Sequence, residues 1–132
     1  MIALDTNVLV RFLVQDDPEQ ARLATELIDG LTDQHLGFIG REVLVELVWV
    51  LERAYGYGRG DIAAALDGVL SSVEVLIEDS DDVATAVDRY RNDGFGFADL
   101  MIAAAARRAS ASELVTFDRK AARLPNVRLL TV

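Results

Sequence analysis

The sequence predicts an α/β fold in which a mostly parallel sheet is covered by helices on both faces. Three observations support this. Short apolar runs alternate with longer helical segments, the order that builds parallel sheets through crossover helices. The apolar runs are continuous rather than alternating, as in strands buried on both faces. The 132 residues are 52% hydrophobic, with only nine Gly and two Pro, enough for a core that needs no staples. No repeat, low-complexity tract or linker interrupts the chain, which reads as a single domain over residues 1–132.

The elements follow in order. Residues 2–4 (Ile-Ala-Leu) form a strand that stops at Asp5, and Thr6 to Val14 is helical. Asp17-Pro18 opens a helix to about Asp29, with Pro in the tolerated first turn and Gly30 as its end. Leu36 to Ile39 is a second strand. Glu42 to Ala54 is a strongly apolar helix closed by the Gly56–Gly60 region. Asp61 is read as the cap of a helix to about Leu70, Val73 to Ile77 as a strand, and Ser80 as the cap of a helix to about Arg91. Asn92-Asp93-Gly94 is a loop, and Phe97 to Ala109 an Ala-rich helix. Leu114 to Phe117 is a strand, Asp118 to Arg123 a short helix, and Val127 to Leu130 a last strand.

Composition excludes several functions. With no Cys there is no disulfide framework, thiolate metal site, thiol catalysis or iron–sulfur cluster. No apolar run is long enough to span a bilayer. The start, MIALDTNVLVRFLV, holds Asp5 and Arg11 within its apolar stretch and lacks a leading basic segment, unlike a signal peptide. The expected location is therefore the cytoplasm. Thirteen basic residues against 22 acidic ones give a net charge of −9, which repels nucleic acid at long range. Such a charge serves solubility, or gathers acids at a cation site or opposite a basic partner.

Four acids break apolar context. Asp5 and Asp118 both stand at strand exits, so a parallel sheet points both toward the edge where ligands bind in such folds. Each also suits a helix N-cap. Glu46 lies within Val43–Leu51, where its helical neighbours at three and four residues are Glu42, Val43, Trp49 and Val50, none of them basic. Read as buried, it costs several kcal/mol or stays protonated unless a group elsewhere compensates; the other reading is a solvent-facing stripe. Asp99 opens an apolar helix, where an acid also suits the helix dipole. As a set these are hard oxygen ligands with no His or Cys cluster to rival them. Like carboxylates about 5 Å apart repel by roughly 3 kcal/mol at an effective dielectric near 20. Mg²⁺ or Mn²⁺ relieves that repulsion and leaves positions open for water and phosphate oxygens, which suits phosphodiester hydrolysis.

Asp5-Thr6-Asn7-Val8-Leu9-Val10-Arg11, Glu46 within Val45–Glu52, Phe97-Ala98-Asp99-Leu100-Met101-Ile102-Ala103 and Thr116-Phe117-Asp118-Arg119 resemble, in order, the PIN domain. More closely they resemble the VapC-type ribonuclease toxins of bacterial and archaeal toxin–antitoxin pairs. The resemblance spans essentially the whole chain. It implies a three-layer α/β/α sandwich and an acidic quartet of Asp5, Glu46, Asp99 and Asp118 around Mg²⁺ or Mn²⁺. Asp5 and Asp99 match the positions most regularly described as metal ligands, and Thr6, Asn7 and Thr116 match supporting polar positions. It further implies RNA as substrate, a homodimer, and inhibition by a co-expressed VapB-type antitoxin. One departure is Gly96, where the family often has a further acid; a second metal therefore lacks that support.

Other residues compete less well. His35 follows Gln34 in a polar loop with no partner for catalysis or ligation. Trp49 is read as core or dimer packing rather than a base-stacking platform. Arg107, Arg108, Arg119, Lys120, Arg123 and Arg128 crowd the C-terminal part, either as a solvated face or as a phosphate-contacting rim. An antitoxin helix is expected against Leu9, Phe12, Leu13 and Leu23, with a basic tail toward the acids. Gly56–Gly60 lacks a dinucleotide or phosphate-loop fingerprint. An aspartyl-phosphate enzyme of the haloacid-dehalogenase type has a second Asp two residues after the first, where this chain has Asn7. The remaining alternative is a non-catalytic PIN-like RNA or protein interaction module, which predicts a degraded quartet.

Overall fold

Five short strands and six helices follow one another in a computed structural model that describes Met1–Val132. Strand β1 is Ile2–Ala3, and α1 (Thr6–Val14) starts where the Asp5 carboxylate accepts the Thr6 N–H at 2.7 Å. Helix α2 (Pro18–Asp29) begins at Asp17, whose side chain accepts the Gln20 N–H, with Pro18 in the first turn. Strand β2 (Gly37–Ile39) leads into α3 (Arg41–Arg53). Helix α4 (Arg59–Leu70), β3 (Val75–Ile77), α5 (Ser80–Asp93) and α6 (Phe97–Arg108) follow. The chain ends with β4 (Leu114–Thr116), a 3₁₀ turn at Ala121–Arg123 and β5 (Val127–Leu129).

All strand pairs are parallel, so the α/β/α layering and parallel sheet are as the sequence predicts. The sheet is in two pieces, ordered β1-β2-β3 and β4-β5. In the first, Ile2 is opposite Gly37 and Gly37 opposite Val75; in the second, Leu114 is opposite Val127. The free edges of β1 and β4 leave Ile2, Val115 and, just beyond β4, Phe117 exposed. The expectation that every strand is a buried run is thus corrected. Only β2, paired on both edges, has two of its three residues buried, whereas each strand with a free edge has one buried residue or none.

The core lies where the helices face one another. Leu44, Leu47, Val48 and Leu51 of α3 are buried at helical spacing, as are Val83, Ala86, Val87 and Tyr90 of α5. Burial of each large aliphatic side chain contributes roughly 1.5–3 kcal/mol relative to exposure. Helix neighbours run α2, α1, α3, α6, α5, α4. Arg41 locks the middle of that series. Its Nη1 donates to Asp79 Oδ2 at 2.8 Å and Asp82 Oδ2 at 3.1 Å, and its Nη2 to the Met101 carbonyl at 2.8 Å. One guanidinium therefore fixes α3 against the start of α5 and the middle of α6. That junction holds Glu46 and Asp99 on helices of fixed relative position.

Several expected ends move. Gly58, not Asp61, is the N-cap of α4, and Asp61 sits in its first turn where the dipole favours an acid. Asp79 rather than Ser80 caps α5, with a left-handed backbone at φ 51°. Asn92 and Asp93 belong to α5, so the loop begins at Gly94, whose φ of 75° suits a residue without Cβ. Asp118 to Lys120 are not helical; only a 3₁₀ turn forms at Ala121–Arg123.

Candidate active site

The two strand-exit acids are built alike. Asp5 leaves β1 and caps α1 with Oδ1, so its other oxygen makes no hydrogen bond. Asp118 leaves β4, and its Oδ1 accepts the N–H groups of Lys120 at 2.8 Å and Ala121 at 2.9 Å. Thr116 Oγ1 in turn accepts the Asp118 N–H at 3.0 Å, which fixes the turn. In both cases a local backbone cap orients the carboxylate and leaves its second oxygen free. The cap and the ligand readings of Asp5 are therefore compatible.

Glu46 is exposed, and this corrects the expectation of a buried carboxylate. Helix α3 turns Glu42, Glu46, Trp49 and Arg53 to solvent while Leu44, Leu47, Val48 and Leu51 face inward. Glu46 lines a cleft of about 270 Å³ with Asp5, Thr6, Asn7, Val10, Arg11 and Tyr55. Neither Asp5 nor Glu46 has an ion-pair partner. Thr6 lines the same cleft at 5% exposure, and its buried hydroxyl has no hydrogen-bond partner. Such an orphan costs roughly 1–3 kcal/mol and asks for a polar ligand or water.

Asp99 and Asp118 make a second pair. Burial raises the Asp99 pKa above its ordinary value, the charge of Asp118 adds to the rise, and Lys120 opposes it. At Gly96, the N-cap of α6, a Cβ would stand only 3.0 Å from Asp99 Oδ2. The small residue that replaces an expected acid thus leaves room around the Asp99 carboxylate. Lys120 Nζ lies near Gly94, 3.7 Å from where a Cβ there would stand.

The four acids stand as two pairs rather than one cage. Asp5 and Glu46 share a cleft and Asp99 and Asp118 share a field, but no three acidic or histidine side chains gather as a metal set. The donor chemistry nevertheless suits a hard divalent cation: unpaired carboxylates, an orphan hydroxyl and like-charge repulsion.

Of the polar positions beside the acids, Thr6 and Asn7 line the Asp5 cleft, while Thr116 acts through the Asp118 turn. His35 is exposed, its backbone paired with Thr32, away from both acid pairs. Trp49 is 58% exposed and is not core. The basic cluster divides. Arg128 is held by Glu113 and Arg108 by Asp79 and Asp82, whereas Arg107, Arg119, Lys120 and Arg123 have no acid partner. Leu9 is buried and so offers no surface; it lines an apolar cavity of about 340 Å³ with Phe12, Leu13 and Ile28. Leu23, 53% exposed, borders a separate cleft with Leu27.

Two groups in the Asp5 cleft carry no role in the sequence reading: the Arg11 guanidinium and the Tyr55 hydroxyl. Arg11 follows Asn7 by four residues, which places both on one helix face and was a usable signal. Tyr55 lies just past α3, where periodicity gives no direction.

No solved structure matches the chain. It is 27% identical over 121 residues to a VapC ribonuclease of Aquifex aeolicus, covering 91% of this chain and 89% of that protein. The PIN domain family matches residues 2–127, from β1 to the first residue of β5, and both acid pairs lie within that range. The chain belongs to the PIN domain family.

Proposed function

We propose that the protein is a Mg²⁺- or Mn²⁺-dependent endoribonuclease and the toxin of a toxin–antitoxin pair, acting in the cytoplasm as one PIN unit over residues 1–132. The observation that carries the reading is the Asp5 cleft, where two unpaired acids meet a buried hydroxyl that lacks a partner. The relative described as a VapC ribonuclease supports the substrate class. No helix is long and apolar enough to cross a membrane.

Asp5 and Asp99, one from each pair, would hold the cation, with Glu46 and Asp118 as further candidate ligands; this role requires the ion to draw the two pairs together by relieving their like-charge repulsion. A hard divalent cation supplies Lewis-acid stabilisation of phosphate charge and lowers the proton affinity of water. The free Asp5 oxygen is already aimed by the α1 cap, so binding there costs little side-chain entropy. Glu46, exposed at the cleft and without an ion-pair partner, would orient a water molecule and take its proton. The water oxygen bonds to phosphorus, one P–O ester bond breaks, and the departing oxygen leaves with a proton. Thr6 and Asn7 offer hydrogen bonds in the cleft, and Thr116 keeps Asp118 in place.

The partners follow from surfaces. A second copy is proposed to cover the α3–α6 face, where Trp49 and Ile102 are both more than half exposed beside an open pocket of about 500 Å³. A VapB-type antitoxin is proposed to place a helix over Phe12, Leu13 and Leu23 and a basic tail toward the acids. The test is cleavage of single-stranded RNA by pure protein with Mg²⁺ or Mn²⁺, and its abolition by EDTA. Cleavage that persists in excess EDTA overturns the metal reading. The second reading, a non-catalytic RNA or protein interaction module, draws on the separation of the acids into two pairs. It is favoured if RNA binds but stays intact with either metal.

A further inference from the structure

Arg11 is the cation that lines the Asp5 cleft, and three hydrogen bonds hold it. Its Nε donates to Gln20 Oε1 at 2.7 Å, and its Nη1 donates to Asp16 Oδ1 at 3.0 Å and to the Tyr55 hydroxyl at 3.3 Å. Tyr55 closes the ring by donating from its hydroxyl to Asp16 Oδ2 at 2.9 Å. The hydrogen bond from Tyr55 holds the Asp16 carboxyl below its ordinary range, and the same bond raises the Tyr55 phenol. Asp16 therefore stays charged and the phenol neutral across the physiological range. The network joins α1, the turn before α2, α2 itself, and the end of α3.

Three of its hydrogen bonds use Nε and Nη1, and Nη2 makes none within the chain. The same side chain lines the cleft that contains Asp5, Thr6, Asn7 and Glu46. A guanidinium with one edge tethered and one nitrogen free is preorganised to bind a single anionic oxygen.

We infer that Arg11 is a substrate-binding residue, with Nη2 donating to a phosphate oxygen of RNA beside the Asp5–Glu46 pair, and that Asp16, Gln20 and Tyr55 are its positioning residues. The inference rests on the ribonuclease reading for the identity of the chain bound. Without Arg11 the cleft offers that phosphate two carboxylates and only neutral donors. The contact is to backbone and reads no base, so it sets register rather than sequence choice.

The experiment compares wild type with Arg11→Gln, Arg11→Lys and Tyr55→Phe, each first checked for folding by thermal melting. Binding of a fluorescein-labelled single-stranded RNA is followed by anisotropy in EDTA and in Ca²⁺ across a salt series. Steady-state cleavage is followed in Mg²⁺. Arg11→Gln should weaken binding about tenfold and flatten the log–log salt slope by roughly 0.7, one phosphate contact on a single strand. Arg11→Lys keeps the charge but not the tether, and should raise KM several-fold at nearly constant kcat. Tyr55→Phe removes only one tether and should shift KM in the same direction by about two- to threefold. Should Arg11→Gln destabilise the fold, Tyr55→Phe and Arg11→Lys still decide the matter, because a merely structural role lowers the melting temperature and leaves the KM of folded protein unchanged. Metal-dependent cleavage with unaltered KM and salt slope in these variants overturns the role of Arg11 alone. An unaltered salt slope in Arg11→Gln without any cleavage overturns both readings. A salt slope flattened by Arg11→Gln in a protein that does not cleave upholds Arg11 and overturns the nuclease.

Discussion

Asp118 acts on Asp99 across two elements, from the turn after β4 to the first turn of α6. Burial comes first and the Asp118 charge second in holding the Asp99 pKa above 3.8, and Lys120 offsets only part of the rise. The folded protein therefore holds that proton more tightly than the unfolded chain does. Its stabilising contribution is complete below the unfolded value and is lost as pH rises through the higher folded value. At neutral pH, ionised Asp99 is a cost to the metal-free fold.

Asp99→Asn should remove that cost. In EDTA at about pH 7 the variant should gain roughly 0.5–1 kcal/mol after solvent screening, a few degrees in Tm. The gain should shrink as pH falls toward the unfolded carboxylate value, where wild type is protonated as well. Wild type should also gain stability from Mg²⁺ by mass action, and the variant should lose that response. Thermal melts over pH, with and without Mg²⁺, read both effects. An Mg²⁺ response equal to that of wild type would reduce Asp99 to a helix-dipole partner.

Asp5→Asn separates the two jobs of Asp5. Asn is as good an N-cap as Asp, so the Thr6 N–H keeps its acceptor and Tm should move by no more than about 0.5 kcal/mol equivalent. The ligand charge is gone, so RNA cleavage should fall by about two orders of magnitude or more. Asp5→Ala should lose both, at roughly 1 kcal/mol in stability. Equal cleavage by wild type and Asp5→Asn would leave Asp5 as a cap only.

Local chemistry was the legible part of the chain. Asp5, Asp17-Pro18 and Gly30 mark the ends of α1 and α2, and those helices run Thr6–Val14 and Pro18–Asp29. Caps act within one turn, so a sequence displays them. The break between β1 and β4 was not legible, because pairing of strands more than a hundred residues apart has no local signature. The exposure of Glu46 is masked in the sequence for a different reason. Glu42, Glu46, Trp49 and Arg53 already follow a helical stripe, but the β-branched residues around Glu46 outweighed it. Val43, Val45 and Val50 are only half-buried, on the flanks of the exposed face. Arg11 and Tyr55 meet across 44 residues, a juxtaposition that only the fold creates.

Stability away from the site should depend on Arg59. Its Nη1 donates to the carbonyls of Tyr90 at 2.9 Å and Phe95 at 2.7 Å, and its guanidinium lies 4.4 Å from the Tyr90 ring centroid. Tyr90, fully buried, donates its hydroxyl to Glu52 Oε2 at 2.9 Å. Arg59→Ala leaves two carbonyls at the end of α5 without this donor, which should cost about 2–3 kcal/mol. Tyr90→Phe strands only an exposed carboxylate that water can satisfy, and should cost about 1 kcal/mol. Urea unfolding at constant m-value reads the difference. A smaller loss for Arg59→Ala than for Tyr90→Phe would contradict the assignment.

The last prediction concerns the proposed antitoxin. The net charge of −9 makes this chain a poor free searcher for RNA and a good match for a basic tail. Asp5 and Glu46 have no ion-pair partner, so an inserted Arg could bond them in place of the cation. Apolar contact should come from Phe12, Leu13 and Leu23 but not from Leu9, which is already buried. Leu23→Ala should therefore weaken the complex by about tenfold or more while RNA cleavage by the free protein persists, because it adds no charge beside Arg11. Truncating the antitoxin's basic end should weaken inhibition more than binding, because the apolar helix supplies most of the affinity. Association should slow markedly between about 50 mM and about 500 mM salt, as steering charges are screened. Equal association rates across that range, with full inhibition by an antitoxin stripped of its basic tail residues, would remove electrostatics from the inhibitory mechanism and leave the apolar helix as its sole agent.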